Sequence, residues 1–263
     1  MQSERDSGSQ AVGQDVIARR VPHRPPQSDR PGRNLFHQDV ASRFGLVPNF
    51  FMSARDAPEI VEKLWDFAKA AYLDNPMPSV FKERLFVFLS RFCPVRYCIV
   101  RHCGFLLGRS HSSGDPAASA QTIDQVVNLL RCPSPWRRQL EPVYAGLEAL
   151  RNPIDWPEPG SDMEDWIFAA AAVTFVEPLQ SDRPRELLRN ALGGKRLEYL
   201  LALLAFIRTA HYWTVVHPGL EIEDDVRELM SSHKELAALL LQDPDTGQSE
   251  RPELIADTKR TSR

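Results

Sequence analysis

The chain has 263 residues, 43% hydrophobic and 25% charged, with a formal net charge of -3 and a pI near 6.2. These values exclude collagen, long coiled coil and full-length disorder, and without a block of clustered Lys and Arg nucleic acid is not the expected partner. Small molecules and proteins stay open, and the length suffices for one large domain or two smaller ones.

Residues 1–33 are rich in Ser, Gln, Arg, Gly and Pro without hydrophobic periodicity, which predicts a disordered arm. Its start, Met1 to Asp15, lacks the apolar run of a secretory signal. From Asn34 the pattern turns apolar. Phe36, Val40, Phe44 and Leu46 lead into Val47-Pro48-Asn49-Phe50-Phe51, and Pro58 opens a helix carrying Ile60, Val61, Leu64, Trp65, Phe67 and Ala68. Asn75-Pro76-Met77-Pro78 is a stop. Ser79 is placed to cap the next helix, which carries Phe81, Leu85, Phe86, Phe88, Leu89 and Phe92. Cys93-Pro94 interrupts it or starts another, running to about Gly108.

Between His111 and Gly160 the chain is richer in Ser, Asp and Pro, as a connector or insertion would be, with short helical pieces around Ile123 to Leu130 and Leu140 to Leu150. Helical pattern resumes at Met163 to Phe175, Arg185 to Leu192 and, after Gly193-Gly194, Lys195 to Val216. Tyr199 to Val216 is the most apolar stretch, but Arg208 and His211 make it costly as a membrane span, so it is expected as a buried core helix. A last helix spans about Glu223 to Leu241, with Asp224 and Asp225 complementing the dipole in its first turn. The polar tail, 242–263, is expected to be flexible. No alternating strand pattern or hairpin signal is present. The expected fold is therefore all-α, one domain over residues 34–241, in a chain with no membrane segment. The expected compartment is a reducing cytoplasm, where cysteines stay thiols unless catalytic, redox-sensing or metal-bound.

Three of the four cysteines, 93, 98 and 103, lie within eleven residues; the fourth is Cys132. On a helix, Cys98 and His102 stand one turn apart on one face, a spacing that lets an imidazole reach a thiol. At about 100° per residue, their stripe also holds Arg101, Phe105 and Arg109, whereas Cys103 falls among Ile99, Val100, Leu106 and Leu107. Cationic company and a hydrogen-bonding His lower a thiol pKa, so Cys98 is the reactive candidate and Cys103 a small core residue. Glu83 sits one helix earlier among Phe81, Leu85, Phe86, Val87, Phe88 and Leu89. Apolar flanks could raise its pKa toward proton relay; alternatively it is a solvated Glu between Lys82 and Arg84.

Glu83, fourteen intervening residues, Cys98, three more and His102 together resemble the signature of the alkylhydroperoxidase D-like and carboxymuconolactone decarboxylase superfamily. Gly45-Leu46-Val47-Pro48-Asn49-Phe50-Phe51 and Pro58-Glu59 upstream, and Leu187 to Ile207 downstream, fit the same pattern. The resemblance covers about residues 35–110 and, more weakly, 163–220. It implies an alkylhydroperoxidase D-like helical bundle, assembled as a homo-oligomeric trimer or hexamer. It also implies a Cys-x-x-Cys pair that cycles between dithiol and disulfide, with Glu and His relaying protons. By carry-over Cys98 is the peroxide-attacking cysteine, His102 the following histidine and Glu83 the relay carboxylate. The first cysteine should fall at Val95, yet the available one is Cys93. On an unbroken helix that offset turns the two thiols about 140° apart, unless Pro94 places Cys93 outside the helix start. The run Val95 to Phe105, with His217 to Val226, also resembles the domain found ahead of PAS and histidine-kinase modules in some bacterial signalling proteins.

Three functions follow as expectations. The first is a cofactor-free thiol peroxidase or disulfide reductase using Cys98, His102, Glu83 and Cys93, supplied by a thiol reductant protein. The second is a sensory or ligand-binding module that turns nothing over and partners a signalling kinase. The third is lactone decarboxylation, which has no need of the cysteines. His211 and His217 are read as packing residues rather than ligands. Cys93, Cys98, His102 and Cys103 lack the second pair a structural zinc site needs, so no metal is expected. Cys132 is read as inert, and Trp136-Arg137-Arg138 as a solvated helix end.

Overall fold

The computed structural model describes residues 31–134 and 140–242. Among them the chain is all-helical, with eleven α-helices and no strand. They are α1 (Pro31–Phe44), α2 (Pro58–Ala68), α3 (Ser79–Ser90), α4 (Arg96–Leu106), α5 (Ile123–Arg131), α6 (Leu140–Glu148), α7 (Asp162–Val176), α8 (Asp182–Leu192), α9 (Gly194–Val216), α10 (Asp224–Ser231) and α11 (Lys234–Leu240). Short 3-10 turns lie at Asn49–Met52, Ser112–Gly114 and Pro178–Gln180, and α2 runs on into a π-helical turn, Lys69–Leu73.

Helix α3 is the centre. Every residue from Phe81 to Ser90 is buried, because α4, α5, α7 and α9 pack around it. A helix covered on all sides shows no amphipathic stripe, and its charges persist inside only if each is satisfied. Lys82 donates to the carbonyls of Tyr72, Leu73 and Asn75 at 2.7, 3.2 and 3.0 Å, closing the end of the π-turn. Arg84 forms a bidentate pair with Glu164 of α7 at 2.8 and 2.6 Å. Ala169 to Ala172 keep the buried surface of α7 small, which lets it lie close to α3, α6, α8 and α9.

Several boundaries differ from the sequence expectation. Helix α1 begins at Pro31, inside the expected arm; residues 1–30 and 243–263, which hold the rest of the arm and nearly all of the tail, lie outside the described residues. Ser79 is the first residue of α3 rather than its cap, and its hydroxyl donates to Asp115 at 2.9 Å. Within 111–160, a Thr122/Gln125 capping box opens α5. Helix α6 packs on α7 and α8 with Val143, Tyr144 and Leu147 buried. The last helix breaks at Ser232-His233 into α10 and α11. On one straight helix, the buried pair Val226/Met230 and the buried pair Leu236/Leu240 would point about 80° apart. The break brings both inward, and Arg96 of α4 donates to the carbonyl of Leu240 at 2.9 Å.

Helix α9 is buried on one face only, through residues such as Leu200, Leu203 and Ile207. The expected buried core helix holds on that face, while on the other Tyr212, Val215 and Val216 are exposed. By length and composition α9 could cross a membrane, but its packed inner face is what a core helix shows.

Candidate functional site

Three elements distant in sequence bring their side chains to Glu83 on α3, which is fully buried. The π-turn widens the end of α2 and presents Tyr72, whose hydroxyl donates to Oε1 of Glu83. From the 3-10 turn, the Ser113 amide donates to the same oxygen at 2.5 Å and its hydroxyl at 2.9 Å. Ser113 holds φ at 46°, a left-handed conformation that non-glycine residues rarely adopt, and this orientation turns both of its donors onto the carboxylate. His102 of α4 completes the set, its Nδ1 lying 2.6 Å from Oε2.

Both alternatives held open for Glu83 are corrected. It is not solvated, and its pKa is lowered, not raised. Burial pushes the carboxyl upward, but the imidazole and the hydrogen bonds from His102, Tyr72 and Ser113 outweigh it. An ionised carboxylate only accepts, so Nδ1 of His102 carries the proton and donates. Among the described residues that is the ring's one hydrogen bond, so Nε2 is left without a partner. The ring is fixed by parallel stacking on Phe86, with centroids 3.6 Å apart, and by edge contacts with Tyr72 and Phe105.

His102 opens onto a cavity of about 40 Å³ whose wall also includes Cys98, Arg101 and Phe105. The stripe expected on α4 is therefore real, except that Arg109 falls beyond the helix and only its carbonyl takes part, accepting from Arg101 at 3.1 Å. Most of the remaining wall is aromatic, with Phe50 and Phe51 at one side and Phe206 and Ala210 of α9 at another.

Cys98 is 2% exposed, and its sulfur lies 3.6 Å from the hydroxyl of Thr214 on α9. The expectation of a lowered thiol pKa is corrected here. Burial pushes the thiol up to about 12, against the opposing Thr214 bond. Arg101 does not offset it, because that guanidinium is already engaged by Asp225 at 3.3 Å and Glu223 at 3.7 Å. Cys103 is fully buried and also pushed up by burial, the core residue expected. Cys93 sits in the turn between α3 and α4, outside the helix start, and is half-buried. The 140° divergence of an unbroken helix therefore does not apply. Cys93 is absent from the cavity wall, but it lies close enough that its charge would raise the Cys98 thiol further. Burial raises its own thiol against a nearby Arg208. Among the described residues no disulfide joins the cysteines.

Beyond the wall residue Tyr97, Glu223 ties α4 to the 3-10 turn at Asn49. Tyr97 donates to Oε1 of Glu223 at 2.6 Å and accepts from the Phe50 amide at 3.0 Å; the Asn49 amide donates to the same Glu223 oxygen at 2.6 Å. Gly104 makes this approach possible, since a Cβ there would meet both Val226 methyls at 3.0 Å and push α10 away from α4.

His211 is buried with Nε2 2.7 Å from the Ser90 hydroxyl and Nδ1 without a partner. Its pKa is pushed down to about 3, chiefly by burial, so it packs as a neutral ring. His217 lies against Trp213 and bonds that residue's carbonyl at 2.7 Å. Among the described residues no group of three or more His, Cys, Asp or Glu is placed to hold a metal ion. Cys132 caps no site residue, though its carbonyl accepts from Arg91; Trp136-Arg137-Arg138 lies outside the described residues. Tyr72, Ser113 and Thr214 went unmarked by sequence reasoning, with only the Ser112-Ser113-Gly114-Asp115-Pro116 turn signal hinting at one of them, while Glu223 was marked as the start of the last helix and within the run His217 to Val226, with no role at the site. No family model, curated protein or solved structure matches the chain.

Proposed function

We propose that the chain is a thiol-dependent peroxidase of the alkylhydroperoxidase D-like type. One observation carries the reading: a carboxylate-oriented imidazole, His102, and a thiol one turn away, Cys98, line the same small cavity. Glu83 holds the tautomer in which Nε2 of His102 can take a proton, the arrangement that activates a nucleophile beside a base. A thiol pushed up to about 12 is not a standing thiolate, so ionisation must be coupled to substrate. His102 takes the Cys98 proton as the sulfur attacks the nearer peroxide oxygen. The S–O bond forms, the O–O bond breaks with its electron pair on the far oxygen, and that oxygen receives the proton and leaves as water or alcohol. Cys98 is then a sulfenic acid, oxidised by two electrons. Attack by the Cys93 thiol expels water and forms the disulfide, which an external thiol reductant protein returns to two thiols. The exposed apolar face of α9 supports the homo-oligomer that belongs to this reading.

The test is peroxide consumption with a thiol reductant by wild type, Cys98→Ser and Cys93→Ser. The proposal expects loss in Cys98→Ser, and in Cys93→Ser a single turnover that stops at the sulfenic acid. Equal rates in all three would sink it. A second reading, a sensory module that turns nothing over, is favoured by one specific observation, the deep burial that keeps Cys98 protonated. It expects intact structure and no peroxide consumption above that of Cys98→Ser.

A further inference from the structure

A Ser or Thr inside a helix ordinarily returns its hydroxyl to a carbonyl one turn back, and this chain follows the rule. Ser42 donates to Asp39, Ser90 to Phe86, Thr174 to Ala170, Thr209 to Ala205 and Ser231 to Arg227, at 2.7 to 3.0 Å. Among the described residues, one hydroxyl past the first turn of an α-helix breaks it. Thr214 of α9 makes no bond to the Ala210 carbonyl, and its hydroxyl lies 3.6 Å from the Cys98 sulfur. The two side chains come together across 116 residues, and among the described residues this is the only hydrogen bond either of them makes. Thr214 stands one turn beyond Ala210, a residue of the cavity wall to which Cys98 and His102 also belong.

We propose that Thr214 is a catalytic residue, the hydrogen-bond donor that stabilises negative charge as it develops on the Cys98 sulfur. The inference rests on the thiol-peroxidase reading and adds a residue to it. In the resting protein either atom can donate, because the thiol and the alcohol each carry a hydrogen. Once His102 takes the thiol hydrogen the sulfur only accepts, and the threonine hydroxyl, not committed to its own helix, must donate. A donor aimed at a charged acceptor in a site shielded from water is stronger than a neutral bond. Thr214 keeps its own proton throughout. The thiol proton passes to His102, the sulfur bonds the near peroxide oxygen, and the O–O electron pair leaves on the far oxygen. That oxygen receives the proton from His102 and departs as water or alcohol.

The electrostatic surroundings leave this task to Thr214. Cys93 in the turn between α3 and α4 and Glu223 ahead of α10 both raise the Cys98 thiol, and the Thr214 bond lowers it. On α4 itself, Arg101 is engaged by Glu223 and Asp225, and His102 is bonded to Glu83. On α9, His211 is a neutral ring.

The test follows modification of Cys98, mapped by mass, in wild type, Thr214→Val and Thr214→Ser. The reagents are iodoacetamide, from about pH 7 to about pH 10, and hydrogen peroxide. Valine keeps the shape of threonine and removes the donor. Loss of a charge-assisted hydrogen bond shifts the ionisation about 10- to 100-fold. A more basic thiolate attacks faster, so about half of that shift in logarithm reaches the rate. Thr214→Val should therefore react about 3- to 10-fold more slowly with both reagents. With the thiol pushed up to about 12, alkylation of wild type climbs roughly tenfold per pH unit, and the Val profile should run parallel below it. A merely loosened fold would do the opposite, exposing the thiol and speeding alkylation. Thr214→Ser restores a hydroxyl and should recover the wild-type rates within about twofold. Rates in Thr214→Val equal to or above wild type overturn the donor, leaving the peroxidase reading standing. Slowing shared equally by Val and Ser assigns the effect to packing and also overturns it. A wild-type Cys98 inert to peroxide, with alkylation slowed in Val and recovered in Ser, overturns the peroxidase reading and keeps the donor. Wild-type Cys98 inert to both reagents overturns the two together.

Discussion

Replacing Glu83 by Gln tests the centre of the site with a change of almost no volume. The carboxylate accepts from Tyr72, from two donors of Ser113 and from His102. An amide has one accepting oxygen. Three of these donors converge on Oε1, so the amide oxygen takes that position and its NH2 faces Nδ1 of His102. Two donors cannot share one bond, so Nδ1 must give up its proton, and the hydrogen-bonding pattern that orients the ring is lost. Loss of a positioned general base through a wrong tautomer costs about 10²- to 10⁴-fold in rate. Loss of charge assistance costs about 2–3 kcal/mol of stability. The assays are single-turnover Cys98 oxidation by hydrogen peroxide, urea unfolding, and the 15N shifts of His102, which report the tautomer. Acid unfolding supplies a further check. The folded-state pKa of Glu83 lies below its ordinary value, so its contribution is fully present above about pH 4.5 and lost as the pH falls through the folded value. Glu83→Gln should flatten that acid limb. A variant that oxidises within threefold of wild type, with the His102 shifts unmoved, would refute the relay.

Other expectations follow from single contacts. Cys98 is raised in the folded state to about 12, so the stability it contributes is complete below the unfolded thiol value, about 8.5, and lost as the pH climbs to 12; Cys98→Ser should remove that alkaline decline in urea midpoints. Lys82→Met leaves three buried carbonyls of the π-turn without their donor, at a cost of about 2–4 kcal/mol in urea unfolding; because that turn carries Tyr72, oxidation of Cys98 should slow as well. Gly146→Ala drives a Cβ to 2.6 Å from the Trp166 ring where α6 meets α7. Overpacking of this kind costs about 1–3 kcal/mol, and a thermal midpoint equal to wild type would show that α6 is not docked there.

What the sequence disclosed and what it withheld divide along one physical line. Periodicity and punctuation are local, and they placed α2 at Pro58, the break at Cys93-Pro94, and α7, α8 and α9 within a few residues. The 100° step along α4 put Cys98, Arg101, His102 and Phe105 on one stripe, and the cavity wall contains all four. Everything facing that stripe arrives from elsewhere: Ser113 reaches Glu83 across 30 residues, Thr214 reaches Cys98 across 116, and Glu223 reaches Tyr97 across 126. No local pattern encodes such meetings.

The two electrostatic misreadings share that origin. Charged neighbours along α4 suggested a lowered Cys98 thiol, and apolar neighbours along α3 suggested a raised Glu83. In three dimensions Arg101 is taken by Glu223 and Asp225, so Cys98 keeps only its burial. Glu83, equally buried, meets donors from three other elements and goes down. Burial is common to both groups, and the number of converging donors decides the sign. The consequence for chemistry is specific. A buried thiol raised to about 12 stands on the cavity wall in its protonated, weakly nucleophilic form. On the peroxidase reading proposed above, Cys98 reacts only when a bound peroxide couples proton transfer to His102 with attack by the sulfur, so substrate binding rather than thiol acidity sets its reactivity.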